Sequence, residues 1–169
     1  MLKLVLRRLG LYSAFDWARA IPGPLSINVP TVRKATIMPT PKFRILCTED
    51  DADTRDLIVF MLNSRNCEVV TSASSTESLH LARTQPFDLY LLDNWLPSSS
   101  GIELCKELRG LDSKTPILFY SGAVYDKDKM QAKECGAQGY VTKPADGDEL
   151  VVEVLRLIAA ARLSFTNST

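Results

Sequence analysis

From residue 43 onward the chain repeats one pattern five times: a short apolar run, then a stretch whose apolar positions recur with helical spacing. The runs at 43–48, 88–93 and 116–121 are nearly continuous in hydrophobic residues, as strands buried on both faces are. Residues 68–71 form a shorter, more polar strand, as expected at a sheet edge, and 138–142 form the fifth strand. The first helix is expected over 52–63, with Leu57, Ile58, Met61 and Leu62 on its buried face. Ser74-Ser75-Thr76-Glu77 reads as a capping box opening a second helix that runs to about Thr84. The third helix is expected over 101–109, with Ile102, Leu104, Cys105 and Leu108 available for packing. A fourth spans 126–135 and stops at Gly136. The fifth, rich in Leu, Val and Ile, spans 145–163.

Regular strand–helix alternation predicts a parallel sheet covered by helices on both faces. With right-handed crossovers few topologies remain. The expected fold is α/β: a flavodoxin-like, doubly wound, five-stranded parallel sheet of order 2-1-3-4-5 with five helices in three α/β/α layers. That order puts strands 1 and 3 on either side of the switch point, where side chains beyond the carboxyl ends of the strands share one crevice. Chemistry-bearing residues stand at those ends. Glu49-Asp50-Asp51 follow strand 1, Asp93 closes strand 3, Ser121 closes strand 4, and Lys143 follows strand 5. Each has an ordinary reading alone: an acid after a strand is most often a helix cap, and a lysine before proline is a surface residue. Asp93 fits that reading least, because it ends an apolar central run where an unpaired charge is costly. Like charges about 4 Å apart repel by roughly 4 kcal/mol at an effective dielectric near 20. Three clustered carboxylates therefore call for cations, and Mg²⁺ together with Lys143 balances them.

Composition changes this picture at the N-terminus. Residues 1–41 carry six basic side chains against Asp16 alone, so the rest of this formally neutral chain is acidic. An acidic folded part lacks the basic surface that non-specific nucleic-acid binding requires. The first 41 residues also hold five of the nine prolines and show no strand–helix alternation. They read as a basic, proline-containing disordered leader; a basic amphipathic targeting or anchoring segment is the alternative, and Met38 is a candidate true start. Residues 42–163 then form the folded domain and 164–169 a tail. The four cysteines are widely spaced, lack a Cys-x-x-Cys, and have only His80 for company, which speaks against zinc. Cys47 and Cys67 read as small hydrophobes of a reduced, cytoplasmic protein. His80 reads as a solvated surface residue. No stretch is long and apolar enough for a membrane span.

Four motifs, in this order on five strand–helix units, resemble the response-regulator receiver domain of two-component signalling. They are Ile45-Leu46-Cys47-Thr48-Glu49-Asp50-Asp51; Asp88-Leu89-Tyr90-Leu91-Leu92-Asp93 with Leu96-Pro97 and Gly101; Tyr120-Ser121-Gly122; and Gly136-Ala137-Gln138-Gly139-Tyr140-Val141-Thr142-Lys143-Pro144. The resemblance covers about residues 42–163. It implies that Asp93 is the phosphoacceptor and that Glu49, Asp50, Asp93 and the backbone carbonyl of Trp95 hold Mg²⁺. Asp51 falls outside that pair of acids and would cap or solvate the first helix. Lys143 would pair with the phosphoryl oxygens, with a cis peptide before Pro144 frequent in the family. Ser121 would hydrogen-bond the phosphoryl group, and Tyr140 would swing inward in response. An edge aromatic packed on the fourth helix is the equally weighted alternative for Tyr140. Gly122 leaves room for the donor. Trp95 and Ala123 depart from the family in bulk and polarity, and the expectation attached to them is that they shield the phosphoryl group and lengthen its lifetime.

The resemblance further implies partners: a sensor histidine kinase or histidine phosphotransfer protein as donor, and a downstream protein target. Neither nucleic acid nor membrane is contacted directly, and dimerisation would use the face made by the fourth helix, fifth strand and fifth helix. The fourth helix has few large apolar anchors, so it is expected to move at low cost. Because only six residues follow Leu163, a stand-alone, non-enzymatic receiver is expected. Competing folds fare worse. A flavodoxin needs a hydroxyl- and glycine-rich phosphate loop after strand 1, where this chain has acid. A haloacid-dehalogenase-type phosphatase needs a second Asp where Trp95 stands. The remaining alternative is a pseudo-receiver, an interaction module that works without phosphorylation.

Overall fold

The computed structural model describes residues 42–123, 125–145 and 147–166. The expected leader, the alternative start at Met38 and the last three residues lie outside them. Five strands form one sheet: β1 (Phe43–Thr48), β2 (Cys67–Ser72), β3 (Leu89–Leu92), β4 (Ile117–Ser121) and β5 (Gly139–Thr142). Every pairing is parallel and the order is β2-β1-β3-β4-β5, as the alternation predicts.

The strands alternate their side chains between two hydrophobic clusters. Ile45, Cys47, Leu89, Leu91 and Leu118 face a cluster closed by Ile58 and Leu62 of α1 (Ala52–Asn63) and by Leu150, Val154, Leu157 and Ile158 of α5 (Gly147–Thr166). Leu46, Tyr90, Leu92, Ile117 and Phe119 face the other. That side is closed by Leu79 of α2 (Ser75–Thr84), by Leu104, Cys105 and Leu108 of α3 (Gly101–Leu111), and by Ala132 of α4 (Asp126–Glu134). β3 and β4 are buried at every position, which is why their sequences show no alternation. Edge strand β2 is half-buried at Val69, Val70 and Thr71 and exposed at Glu68.

Register decides where the site falls. Thr48 stands opposite Leu92, and the Asp93 N–H donates to the Thr48 carbonyl at 2.9 Å. Glu49 and Asp93 therefore leave adjacent strands at the same level. Ser121 stands opposite Thr142, and the Lys143 N–H donates to the Ser121 carbonyl at 2.9 Å, so Lys143 emerges at that level too.

Several local expectations need correction. Leu57 is 52% exposed; Ile58 and Leu62 carry the buried face of α1, with Met61 only partly buried. One residue is about 100° of helix, enough to turn Leu57 off the stripe. The box at Ser74–Glu77 is half formed. Ser74 Oγ accepts from the Glu77 N–H, but the Glu77 carboxylate turns to Ser72 Oγ and the Ala73 N–H. The complete box opens α3, between Ser100 and Glu103. A short antiparallel ribbon of Trp95–Leu96 with Ser99–Ser100 joins β3 to α3, and α5 runs to Thr166, past the expected end. α4 stops at Gly136, whose φ of +100° suits only glycine. Among the described residues no helix is long and apolar enough to cross a membrane.

Candidate functional site

The carboxyl edge of the sheet gathers Glu49, Asp50 and Asp93, each offering an oxygen within 4.8 Å of the others. Glu49 and Asp93 are buried at 2% and 7% exposure, while Asp50 is exposed. Lys143 bridges the two buried acids: its Nζ donates to Glu49 Oε2 at 2.5 Å and to Asp93 Oδ2 at 3.0 Å. The other Asp93 oxygen, Oδ1, accepts from the Asn94 N–H at 2.6 Å. A third interaction steadies the ammonium, which lies 5.3 Å from the Tyr120 ring centroid.

These contacts set the electrostatics. Burial pushes the Glu49 carboxyl above its ordinary range, and the bond and charge of Lys143 offset this only in part. For Lys143 burial works downward, but the Glu49 bond and the Asp93 charge outweigh it and hold the ammonium above its usual pKa. Three carboxylates against one ammonium leave a negative excess that a divalent cation would neutralise. The available donors are hard oxygens, which suit Mg²⁺ rather than a thiolate-seeking metal. The residues present thus fit the ion that the resemblance implies.

Two devices hold the acidic loop. Asp51 caps α1, with its Oδ1 accepting from the Thr54 N–H at 2.7 Å, the role expected for it. Arg55, one turn into α1, donates from one guanidinium nitrogen to the carbonyls of Glu49 at 2.6 Å and Asp50 at 2.8 Å. Sequence reading missed Arg55, because a side chain that grips backbone carbonyls leaves no pattern of partner residue types.

The loop after Asp93 is fixed by Gly101. Its N–H donates to the Asn94 carbonyl at 2.9 Å, and a Cβ there would lie 2.1 Å from the Asp93 carbonyl oxygen. Trp95 begins the ribbon two residues past Asp93. Trp95 is 68% exposed, while Ala123 is buried. Ser121 is fully buried, and its Oγ accepts from the Ala123 N–H at 3.5 Å. Tyr140 stacks on Phe119 of β4, with centroids 5.9 Å apart and rings 7° from parallel, and its hydroxyl donates to the Ala123 carbonyl at 2.7 Å. The phenol thus ties β5 to the segment after Ser121. A Cβ at Gly122 would meet nothing within 4 Å, so that side of the site is open. The Lys143–Pro144 bond is cis, and His80 is exposed, both as expected.

Fold and site together define a doubly wound α/β domain with an acidic cluster and a lysine at the switch point of its sheet. The chain belongs to the response regulator receiver domain family, whose model matches residues 45–155. The cell cycle response regulator CtrA of Brucella ovis is 35% identical over 119 residues, which cover 70% of this chain and 51% of that protein. The chain therefore spans about half the length of the curated relatives it matches. Among solved structures, chemotaxis protein CheY4 of Vibrio cholerae matches with a TM-score of 0.66 at 27% identity, covering 69% of this chain and 98% of that one. NtrX of Brucella abortus matches with a TM-score of 0.72 at 26% identity, covering 75% of this chain and 29% of that one. The domain is a receiver of two-component response regulators, a signalling class.

Proposed function

We propose that Asp93 accepts a phosphoryl group from the phosphohistidine of a sensor histidine kinase or a histidine phosphotransfer protein. An Asp93 carboxylate oxygen bonds phosphorus as the bond to the donor imidazole breaks, giving a labile acyl phosphate. The observation that carries this reading is the Glu49–Asp50–Asp93 cluster with Lys143 bridging two of its members. Glu49, Asp50, Asp93 and the Trp95 carbonyl would hold Mg²⁺, which supplies charge neutralisation for attack on an anionic phosphoryl group. Lys143 transfers part of its ion pairing from the carboxylates to the phosphoryl oxygens. Ser121 donates its hydroxyl to the same group, and Tyr140 follows through the segment that its phenol already grips.

Phosphorylation then shifts an existing equilibrium between two surfaces. α4 is the element suited to move: only Ala132 of its side chains is buried, and Met130 is 59% exposed. The output is a protein contact, with a downstream target or a second copy, through the α4–β5–α5 face. The acidic charge of the chain beyond residue 41 disfavours direct nucleic-acid binding, and a kinase-coupled receiver of this kind works in the cytoplasm.

Incubation with acetyl phosphate and Mg²⁺ should add about 80 Da to the intact mass, the increment of one P–O bond formed. Asp93→Asn should abolish the adduct, and chelation should suppress it. A folded protein that never takes up the group would instead establish a pseudo-receiver.

A further inference from the structure

Away from the carboxylates, two thiols meet. Cys105 lies in the middle of α3, and Cys135 is the C-cap of α4, 30 positions later. The Cys105 thiol donates to the Cys135 carbonyl at 3.2 Å. The Cys135 thiol in turn donates to the Ala132 carbonyl at 3.1 Å. Cys105 is wholly buried, whereas Cys135 is 7% exposed and borders a groove of about 1000 Å³. Trp95, Ile102, Lys106 and Gln131 share that wall.

Buried cysteines usually act as small hydrophobes, and Cys47 and Cys67 do so in the opposite cluster. Three features separate Cys105 and Cys135 from them. They touch each other across two elements, one of them reaches a groove, and the element carrying that one is lightly anchored. Metal binding does not account for the pair: among the described residues the one group of acidic, histidine or cysteine side chains able to share an ion is Glu49, Asp50 and Asp93.

We propose that Cys105 and Cys135 form a dithiol modification site, which closes to an intramolecular disulfide by exchange with a small-molecule disulfide such as glutathione disulfide. The Cys135 thiolate attacks one sulfur of that reagent and displaces a first small thiolate. The Cys105 thiolate then attacks the Cys135 sulfur of the mixed disulfide and displaces the second. Two cysteine thiols are oxidised by two electrons, and the reagent is reduced to two thiols that take up both protons. The neighbouring Cys105 side chain holds the Cys135 thiol below its ordinary pKa, which agrees with Cys135 attacking first. The product fastens the C-terminal end of α4 to α3, independently of the chemistry at Asp93.

The test uses the full chain with glutathione disulfide at neutral pH and no denaturant. The intact mass should fall by about 2 Da, the two hydrogens lost, and peptide mapping should place the bridge between Cys105 and Cys135. Dithiothreitol should reverse it. Cys105→Ala should stop at a mixed disulfide on Cys135, and Cys47→Ala should still close. No mass change, a bridge involving Cys47 or Cys67, or closure only in urea would overturn the proposal. If Cys105→Ala does not fold, the peptide map of the unsubstituted chain decides alone.

Discussion

Glu49 and Lys143 show how burial and pairing compete within one residue. The raised Glu49 pKa means that the folded chain binds this proton more tightly than the unfolded one. Its contribution therefore turns against stability as pH climbs from 4.5 through the raised folded value. Lys143 has the opposite sign. Its stabilisation is whole below 10.5 and is lost as pH rises through its raised folded pKa. Lys143→Met leaves Glu49 and Asp93 buried without their cation, at a cost of about 3 kcal/mol in metal-free protein near neutral pH. The loss should shrink near pH 5, as Glu49, whose carboxyl burial holds above its ordinary range, takes up a proton. Urea melts with chelator at the two pH values measure this, and an equal loss at both would refute the pairing. Arg55 acts one step away, on the backbone. Arg55→Ala should weaken Mg²⁺ binding about tenfold, as losses of supporting contacts do, read from tryptophan fluorescence during a Mg²⁺ titration. Arg55→Lys should recover part of the loss, and an unchanged titration in Arg55→Ala would show that the acidic loop needs no clamp.

At the scale of elements, α3 is fixed at its first residue by two unlike constraints. Ser100 closes the capping box, so Ser100→Ala should cost about 1 kcal/mol in a urea melt. Gly101 sits where any Cβ would collide with the Asp93 carbonyl, 2.1 Å away. Gly101→Ala should thus cost about 2–3 kcal/mol and lower phosphoryl uptake from acetyl phosphate, while Ser100→Ala leaves uptake near normal. Similar uptake in both variants would mean that the loop does not position Asp93. The glycine was visible in the sequence as part of a motif, but its collision partner was not. Strand ends were legible because β3 and β4 are apolar at every step and a charge or hydroxyl marks where each stops. The Trp95–Leu96 and Ser99–Ser100 ribbon was not, since two-residue strands carry no period. Competing partners explain the misplaced capping box: Ser72 and Ala73 offer Glu77 donors as near as the cap itself. Leu57 was misread because helical spacing alone cannot say which edge of an apolar stripe meets the sheet.

For the whole molecule, the sheet couples the site to folding. Glu49 and Asp93 extend strands whose other residues make the two cores, so whatever relieves their repulsion stabilises the entire domain. An ion that binds only the folded state adds RT ln(1 + [L]/Kd), about 1.4 kcal/mol when free Mg²⁺ is tenfold above its Kd. For a domain of this size that is a rise of about 3–5 °C in the unfolding midpoint. Asp50 is the discriminating residue, being exposed and outside both cores. Asp50→Asn should leave the chelated protein as stable as before or slightly more so, because one like charge has gone from the cluster, yet it should abolish most of the rise with Mg²⁺. Thermal scans of both proteins, with Mg²⁺ and with chelator, give the four numbers needed. Equal shifts in the two would place the ion elsewhere, and the acidic cluster would then have to be read as a fold-stabilising ion-pair network around Lys143.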